Sequence, residues 1–191
     1  MNTPNKLTVF RIALVPIFLF FLFSSFISLN YLWALIIFSV ASYTDYLDGK
    51  IARKRGLVTN FGKFLDPLAD KVLVISALVV FVELKLISAV VVIVLLTREF
   101  LVMGVRLLAA TGGKVVPASF WAKMKTASQM IAIIIVILIA QFASSGIFSD
   151  VFNSQNIAII SEILMWITCV FSVVSGVQYV TANLEFINQM K

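Results

Sequence analysis

The sequence predicts an all-α integral membrane protein, a bundle of six transmembrane helices in a single domain, 1–191. Hydrophobic residues make up 61% of the 191 residues and charged residues 13%. With a mean hydropathy of +1.07, the chain is too apolar for an ordinary water-soluble domain. It also contains six successive apolar runs of roughly twenty residues, each long enough to cross ~30 Å of hydrocarbon as a helix. The predicted spans are 8–28, 31–52, 61–83, 86–110, 123–146 and 157–182.

Short breaks separate these spans. Those at 28–30 and 83–85 are only a few residues long, so each is expected to join two antiparallel neighbours. A longer break at 111–117 contains glycine and proline, and the break at 144–156 is polar and nearly uncharged. The first apolar run is not followed by a small-residue cleavage pattern, so we expect it to remain as an anchor.

The basic residues predict the orientation of the helices, because the side richer in lysine and arginine faces the cytoplasm. The breaks at 28–30, 83–85 and 144–156 contain Lys85 as their only basic residue. The other side has Lys6, Arg11, Lys50, Arg53, Lys54, Arg55, Lys63, Arg98, Arg106, Lys114, Lys123 and Lys125. We therefore expect a multi-pass protein of the cell membrane, with both termini and the stretch 45–70 facing the cytoplasm. The formal charge of +6 then indicates contact with anionic membrane lipid, not with nucleic acid.

Four aspartates occur within the stretch 45–70, DYLDGKIARKRGLVTNFGKFLDPLAD, in or beside runs apolar enough to cross a bilayer. A carboxylate at membrane depth costs a few kcal/mol or more unless it faces a cavity and has a partner. Asp45 and Asp48 are three residues apart, and Asp66 and Asp70 are four apart. In helices these spacings place each pair on one face. The four carboxylates therefore point to a shared cationic partner.

The ligand chemistry of this stretch favours hard cations. Carboxylate oxygens suit Mg²⁺, Mn²⁺ or Ca²⁺, and two such ions ~4 Å apart can stabilise a displacement at phosphorus. The chain has no histidine, and Cys169 is its one cysteine, which argues against a zinc or iron site and allows no internal disulfide. Gly49, Ala52 and Gly62 carry little or no side chain near the aspartates and would let a ligand approach the backbone.

The same residues resemble a known family. The pattern D-x2-D-G-x2-A-R-x8-G-x3-D-x3-D is the signature of the CDP-alcohol phosphotransferases, membrane enzymes of phospholipid synthesis. The sequence matches every fixed position and every gap, at Asp45, Asp48, Gly49, Ala52, Arg53, Gly62, Asp66 and Asp70. Eight fixed residues at fixed spacing make the resemblance specific.

The resemblance implies a reaction and a set of roles. It implies a six-helix fold, two bound divalent ions (Mg²⁺ or Mn²⁺), CDP-diacylglycerol as the donor and a homodimeric assembly. The implied metal ligands are Asp45, Asp48, Asp66 and Asp70, and Asp70 is also the implied general base. The residues implied to bind the nucleotide of the CDP-lipid are Thr8, Asp48, Gly49, Ala52, Arg53 and Gly62.

A second group, of basic residues, indicates the acceptor. Arg98 and Arg106 are eight residues apart and so lie broadly on the same side of a helix. We expect Glu99 to balance Arg98 and to leave Arg106 free for a ligand. The segments PNKLTVFR, REFLVMGVR and AKMKTASQ resemble the branch of the family whose acceptor is glycerol 3-phosphate. The residues implied to bind the acceptor phosphate are Arg11, Arg98, Arg106, Lys123 and Lys125. Lys71, next to Asp70, is interpreted as structural.

Other interpretations remain open. Each basic residue could instead be a long side chain reaching the membrane interface. Within the family, the acceptor could be phosphatidylglycerol, which would give cardiolipin, or inositol phosphate. Outside it, a cation transporter or channel could use the aspartates as an ion path. Against a path, both aspartate pairs lie near one end of the membrane span.

Overall fold

The computed structural model describes residues 3–55, 60–111, 119–146 and 153–183. Within these ranges the side chains of residues 3–6, 45–55, 60–68, 70, 108, 110 and 111 lie outside that description. Within the described residues every regular element is a helix, in agreement with the predicted all-α class. The helices are α1 Thr3–Phe23, α2 Asn30–Arg55, α3 Asn60–Glu83, α4 Ala89–Thr111, α5 Phe120–Ser144 and α6 Ser154–Thr181. Their bounds follow the predicted spans to within a few residues.

Capping explains where α5 and α6 depart from the predicted spans. The first helix, Thr3–Phe23, begins and ends five residues before its predicted span, 8–28. The fifth helix starts after Ser119, whose hydroxyl accepts the Ala122 N–H at 3.2 Å. The sixth starts after Asn153, whose side chain accepts the Asn156 N–H at 2.8 Å. Hydropathy alone cannot locate such polar first turns.

The predicted turn at 83–85 is present after Glu83, whereas the first connection, 24–29, begins four residues earlier than predicted and Asn30 already belongs to α2. Both connections use a left-handed residue other than glycine. Leu29 has φ 59°, and Lys85 has φ 56°. After α3 the Leu86 N–H bonds back to the Phe81 carbonyl at 2.8 Å, as in the usual closure of a helix end. After α1 the Asn30 amide donates to the Phe21 carbonyl at 3.2 Å. Each turn therefore reverses the chain within a few residues.

The helices form one bundle around an apolar core. The first helix packs on α2 and α3, the fifth on α6 and α2, and the fourth mainly on α6. The largest buried apolar side chains include Phe18 and Phe38, whose ring centroids are 5.8 Å apart. Phe81, Ile133 and Met165 extend the same core through α3, α5 and α6. This packing brings α4 and α5 each into contact with both α3 and α6.

A carboxylate on α6 caps α4. The backbone N–H and the hydroxyl of Ser88, immediately before α4, each donate to Glu162 at 2.6 Å. The Trp166 indole donates to the same carboxylate at 3.0 Å. A negative charge at a helix N-terminus satisfies free N–H groups and interacts favourably with the helix dipole. Glu162 thereby fixes the start of α4 against α6.

The sixth helix has its polar residues inside and its apolar residues outside. Ser161, Thr168, Ser172 and Ser175 are at most 1% exposed. On the outer surface Ile163, Val170 and Val177, spaced seven residues apart, are 56–60% exposed. A helix in contact with water would show the reverse pattern. Small and hydroxyl side chains between helices are typical of packing within a membrane.

Length and composition also favour a membrane location. Of the helices in the described ranges, α5 and α6 are long and apolar enough to cross a bilayer, and α1 contains a shorter apolar run, Leu7–Phe23. The fourth helix carries Arg98, Glu99 and Arg106 in its apolar sequence. The structure thus supports a helical membrane protein, while a crossing by all six helices stays a prediction.

We expect Glu162→Ala to destabilise the bundle by about 1–3 kcal/mol, because it leaves donors of Ser88 and Trp166 without an acceptor. Thermal unfolding of the purified protein in detergent micelles measures the effect as a midpoint lower by several degrees. Glu83→Ala is the matched control, because Glu83 is an exposed carboxylate at the nearby end of α3. Equal midpoints for the two variants would contradict the capping role.

Candidate functional site

The helical backbone that the aspartate spacing requires is present. Asp45 and Asp48 belong to α2, and Asp66 and Asp70 to α3, so positions three or four apart share one face of their helix. The side chains of these four residues, and of Gly49, Ala52, Arg53 and Gly62, lie outside the described residues. Among the side chains that are described, no three carboxylate or thiol groups lie close enough to hold a metal ion. The metal site at 45–70 therefore stays a prediction.

Arg11 and Thr8 are fully inside the bundle, on α1. Arg11 is 1% exposed and Thr8 0%. The Arg11 Nε donates to the Ala41 carbonyl at 3.3 Å, and Ala41 lies one helical turn before Asp45 on α2. The same carbonyl accepts the Thr44 hydroxyl at 2.8 Å. The structure thus places this predicted phosphate-binding arginine beside the helix that carries the first two aspartates.

A cluster of three cations surrounds Glu99. One carboxylate oxygen accepts a hydrogen bond from Lys71 of α3, and the other accepts from Lys125 of α5. Arg98 adds a third ion pair at 3.0 Å through Nη1. The side chain of Lys125 is 5% exposed, and that of Glu99 is 15% exposed. We call these four residues the Glu99 cluster.

The other end of Arg98 lies against α6. Its Nη2 donates to the Ser175 hydroxyl at 2.7 Å. Its Nε is buried and, within the part of the chain that the structure describes, has no hydrogen-bond acceptor. A Cβ added at Gly176 would lie 3.1 Å from the Arg98 Cγ, so glycine at this position gives the arginine room to reach α6. This Nε donor is therefore unused by the described residues.

Arg106 is not free, contrary to the expectation from the sequence. Its Nε donates to the Tyr179 hydroxyl at 3.0 Å, and its guanidinium carbon lies 5.4 Å from the centroid of that ring. Tyr179 and Ser175 are one turn apart on α6, so Arg98 and Arg106 both reach the same face of that helix. This confirms that the two arginines share a side of α4. Because Nε alone bonds to Tyr179, the outer nitrogens of the exposed Arg106 can still bind a ligand.

The two lysines at the start of α5, Lys123 and Lys125, lie in different environments. Lys125 is buried in the Glu99 cluster, whereas Lys123 is exposed. Residues two apart on a helix point in widely different directions, at ~200°. Lys123 therefore lies apart from the cluster, in a position that suits a side chain reaching the membrane interface.

The charges of the Glu99 cluster do not cancel. Lys71, Arg98 and Lys125 carry three positive charges, and Glu99 carries one negative charge. Within these four described residues two positive charges are therefore in excess, in a largely buried place where uncompensated charge is costly. Lys71 directly follows Asp70 in α3, so one member of the cluster belongs to the helix of the predicted acidic site. An anion with two negative charges would balance the excess.

Sequence reasoning assigned Glu99 only to Arg98 and gave Lys71 a structural role, and it missed Ser175, Gly176 and Tyr179. One signal was available, because Glu99 is the only carboxylate between Glu83 and Asp150. A single carboxylate in so long an apolar stretch needs more than one partner when several cations surround it. The contacts on α6 had no comparable signal, since serine, glycine and tyrosine are ordinary residues in a membrane helix.

Comparison with known proteins supports the family that the sequence pattern indicates. The profile of the family described as CDP-alcohol phosphatidyltransferase matches residues 1–174. This chain belongs to that family. The match to the CDP-alcohol phosphatidyltransferases covers α1 to α5 and most of α6, so it includes both the aspartate stretch and the Glu99 cluster.

Individual relatives within the CDP-alcohol phosphatidyltransferase family are similar over nearly their whole length. A protein of Bacillus subtilis named CDP-diacylglycerol–glycerol-3-phosphate 3-phosphatidyltransferase is 40% identical, over 96% of each chain. A protein of Rickettsia bellii with the same name is 38% identical, over 97% of each chain. A probable phosphatidylglycerophosphate synthase of Mycobacterium tuberculosis is 34% identical, over 100% of this chain and 85% of the relative.

Alanine substitutions at the two described helical glycines, Gly104 and Gly176, should distinguish the effect of steric crowding from the effect of helix propensity. Alanine in place of glycine inside a helix gains up to about 1 kcal/mol. A Cβ at Gly104 meets no described atom within 4 Å, whereas one at Gly176 crowds Arg98. We therefore expect Gly104→Ala to raise the thermal midpoint in detergent and Gly176→Ala to leave it unchanged or lower. An equal rise for both variants would show that Arg98 does not depend on the space at Gly176.

Proposed function

We propose that this chain transfers the phosphatidyl group of CDP-diacylglycerol to glycerol 3-phosphate, giving phosphatidylglycerol phosphate and CMP. Relatives that share 34–40% identity over most of their length carry the name of this activity or of the corresponding synthase. The observation that carries the proposal is the Glu99 cluster. Among its four residues positive charge exceeds negative charge by two, which suits a phosphorylated acceptor, and Lys71 links the cluster to α3, the helix that carries the predicted base.

The aspartate stretch is proposed to bind the donor through divalent ions. Four carboxylates are a donor set that fits Mg²⁺ or Mn²⁺. The link between Arg55 and Asn60 is four residues long, and such short links usually join antiparallel helices. Asp45 and Asp70 are then each ten residues from the link, and Asp48 and Asp66 are seven and six residues from it. The two pairs would therefore lie at matching depths, as ligands of shared ions require.

The bound ions would neutralise the diphosphate of CDP-diacylglycerol and stabilise the charge that develops on the departing CMP. The chain's own residues would orient the donor. Gly49, Ala52 and Gly62 leave space in which cytidine and phosphates can approach the helices. Arg53 and Thr8 are proposed to supply polar contacts to the same nucleotide.

The Glu99 cluster is proposed to bind the acceptor phosphate. A phosphate monoester carries a charge of about −1.5 to −2 at neutral pH, which matches the excess positive charge of the cluster. Arg98 offers the buried Nε that has no acceptor among the described residues, and Lys125 offers a second buried cation. Arg106, held by Tyr179 on the same face of α6, and Arg11 are proposed as further phosphate ligands. Lys123 could attract the anion from the membrane surface.

The proposed step is a displacement at the phosphorus that bears the diacylglycerol. The C1 hydroxyl oxygen of glycerol 3-phosphate forms a new bond to this phosphorus, and its proton passes to the Asp70 carboxylate. The bond from phosphorus to the CMP oxygen breaks, and CMP leaves with the electron pair. A hydroxyl is a poor nucleophile while protonated, so a positioned base contributes about 10²–10⁴-fold to the rate.

The membrane placement forms part of the proposal. We infer six membrane crossings with both termini and the site facing the cytoplasm, supported by the one-sided distribution of lysine and arginine. That side gives access to water-soluble glycerol 3-phosphate, while the lipid donor enters from the bilayer. A homodimer is proposed from the family resemblance.

An assay of purified protein with CDP-diacylglycerol and a panel of acceptors tests the function. The panel contains glycerol 3-phosphate, phosphatidylglycerol and inositol phosphate, each with Mg²⁺, with Mn²⁺ and with excess chelator. We expect phosphatidylglycerol phosphate and CMP from the first acceptor and no product after chelation. Product from another acceptor alone would change the assigned activity, and cation flux in proteoliposomes without CMP release would favour the transporter reading.

Asp70→Asn should lower turnover at least about 10²-fold, because the amide cannot take the hydroxyl proton. CMP binding in the presence of divalent metal should persist and can be measured by calorimetry. The matched control is Glu83→Gln, an exposed carboxylate 13 residues further along α3, which should leave turnover unchanged. A wild-type rate for Asp70→Asn would exclude Asp70 as the base.

A further inference from the structure

We propose that Glu99 is the positioning residue of the acceptor site. Its carboxylate holds Lys125 and Arg98 at the place where the acceptor phosphate binds and, through Lys71, fixes α3 next to Asp70. This inference rests on the proposed function and deepens it. Glu99 itself would not touch the acceptor.

The contacts of the two carboxylate oxygens support this role. One oxygen bonds to Lys71 on α3, while the other bonds to Lys125 on α5 and to Arg98. A side chain of α4 thus links the helix of the predicted base to a buried phosphate-binding lysine. Such charge-assisted hydrogen bonds are short and directional, so they determine where the two lysine ammonium groups lie.

Arg98 is held from two sides. Glu99 binds its Nη1, Ser175 binds its Nη2, and its Nε has no acceptor among the described residues. The guanidinium is therefore oriented by groups that leave one donor unused. A planar guanidinium fixed in this way can present that donor to a phosphate oxygen in a defined direction.

Without the Glu99 charge, three cations would repel one another in a largely buried place. Lys125 and Arg98 would then move apart, and the acceptor would have to reassemble them at the expense of its own binding energy. A role for Glu99 as a competitor of the acceptor would make the opposite prediction for acceptor binding. If Glu99 merely competed with the acceptor for the cations, its removal would strengthen acceptor binding.

The test compares Glu99→Gln with Glu162→Gln in the purified full-length protein. The second variant is the matched control, because Glu162 is also a hydrogen-bonded carboxylate between helices but contacts the start of α4, near Ser88. We expect Glu99→Gln to raise the KM for glycerol 3-phosphate at least about tenfold. The KM for CDP-diacylglycerol should remain within about twofold of wild type, and Glu162→Gln should alter neither KM.

A purely structural role would change both KM values together, and this result would overturn the proposal. A lower KM for glycerol 3-phosphate would also overturn it, in favour of competition. If Glu99→Gln does not yield folded protein, Glu99→Asp serves instead. It keeps the charge but is one methylene too short to reach both lysines, so it should raise the same KM to an intermediate extent. An unchanged KM for Glu99→Asp would show that the bridge is not needed.

The activity of the wild-type protein with glycerol 3-phosphate distinguishes a failure of this inference from a failure of the proposed function. If wild type makes no phosphatidylglycerol phosphate from glycerol 3-phosphate, the proposed function fails, and the Glu99 role fails with it. If wild type makes the product and Glu99→Gln leaves the KM for glycerol 3-phosphate unchanged, only the Glu99 role fails.

Discussion

A charged group inside an apolar bundle must be paired, and Glu99 is paired with three cations at once. Lys71, Arg98 and Lys125 come from three helices and share one carboxylate. Breaking any of these ion pairs would leave a buried charge without its counter-ion, which is far more costly than losing an exposed ion pair. The relative positions of α3, α4 and α5 at this depth therefore depend on Glu99, and Arg98 extends the constraint to α6 through Ser175.

The arrangement matters because α3 and α4 otherwise touch over only a short stretch. Lys71 is adjacent to Asp70 in sequence, so the ion pair across to Glu99 anchors α3 beside the predicted base. On α1, Arg11 bonds to the Ala41 carbonyl one turn before Asp45. Basic residues thus connect each of the two aspartate-bearing helices to a neighbouring helix.

The fold and the family could be predicted from the sequence, because helix length in a membrane and the eight-residue signature are both local properties of the chain. The pairing of the basic residues could not. Arg106 appeared free because its partner, Tyr179, is 73 residues away on α6. Lys123 and Lys125 appeared equivalent until the rotation of α5 buried one of them and exposed the other. Helix packing determines which of several cations a single carboxylate binds, and the hydropathy of the sequence carries no information on that packing.

The charge of the interior also distinguishes an enzyme from a cation path. A path for cations needs carboxylates along its length and no fixed cations within it. Here Arg98 and Lys125 lie in the bundle at the level of Lys71, next to Asp70, and positive charge exceeds negative charge by two among the four residues of the cluster. A passing cation would be repelled there, at about 4 kcal/mol for a single unit charge 4 Å away in a partly polar interior. A phosphorylated acceptor would be attracted to the same place. Predicted metal-binding carboxylates together with a cluster that carries excess positive charge suit a site that brings a diphosphate and a second phosphate together.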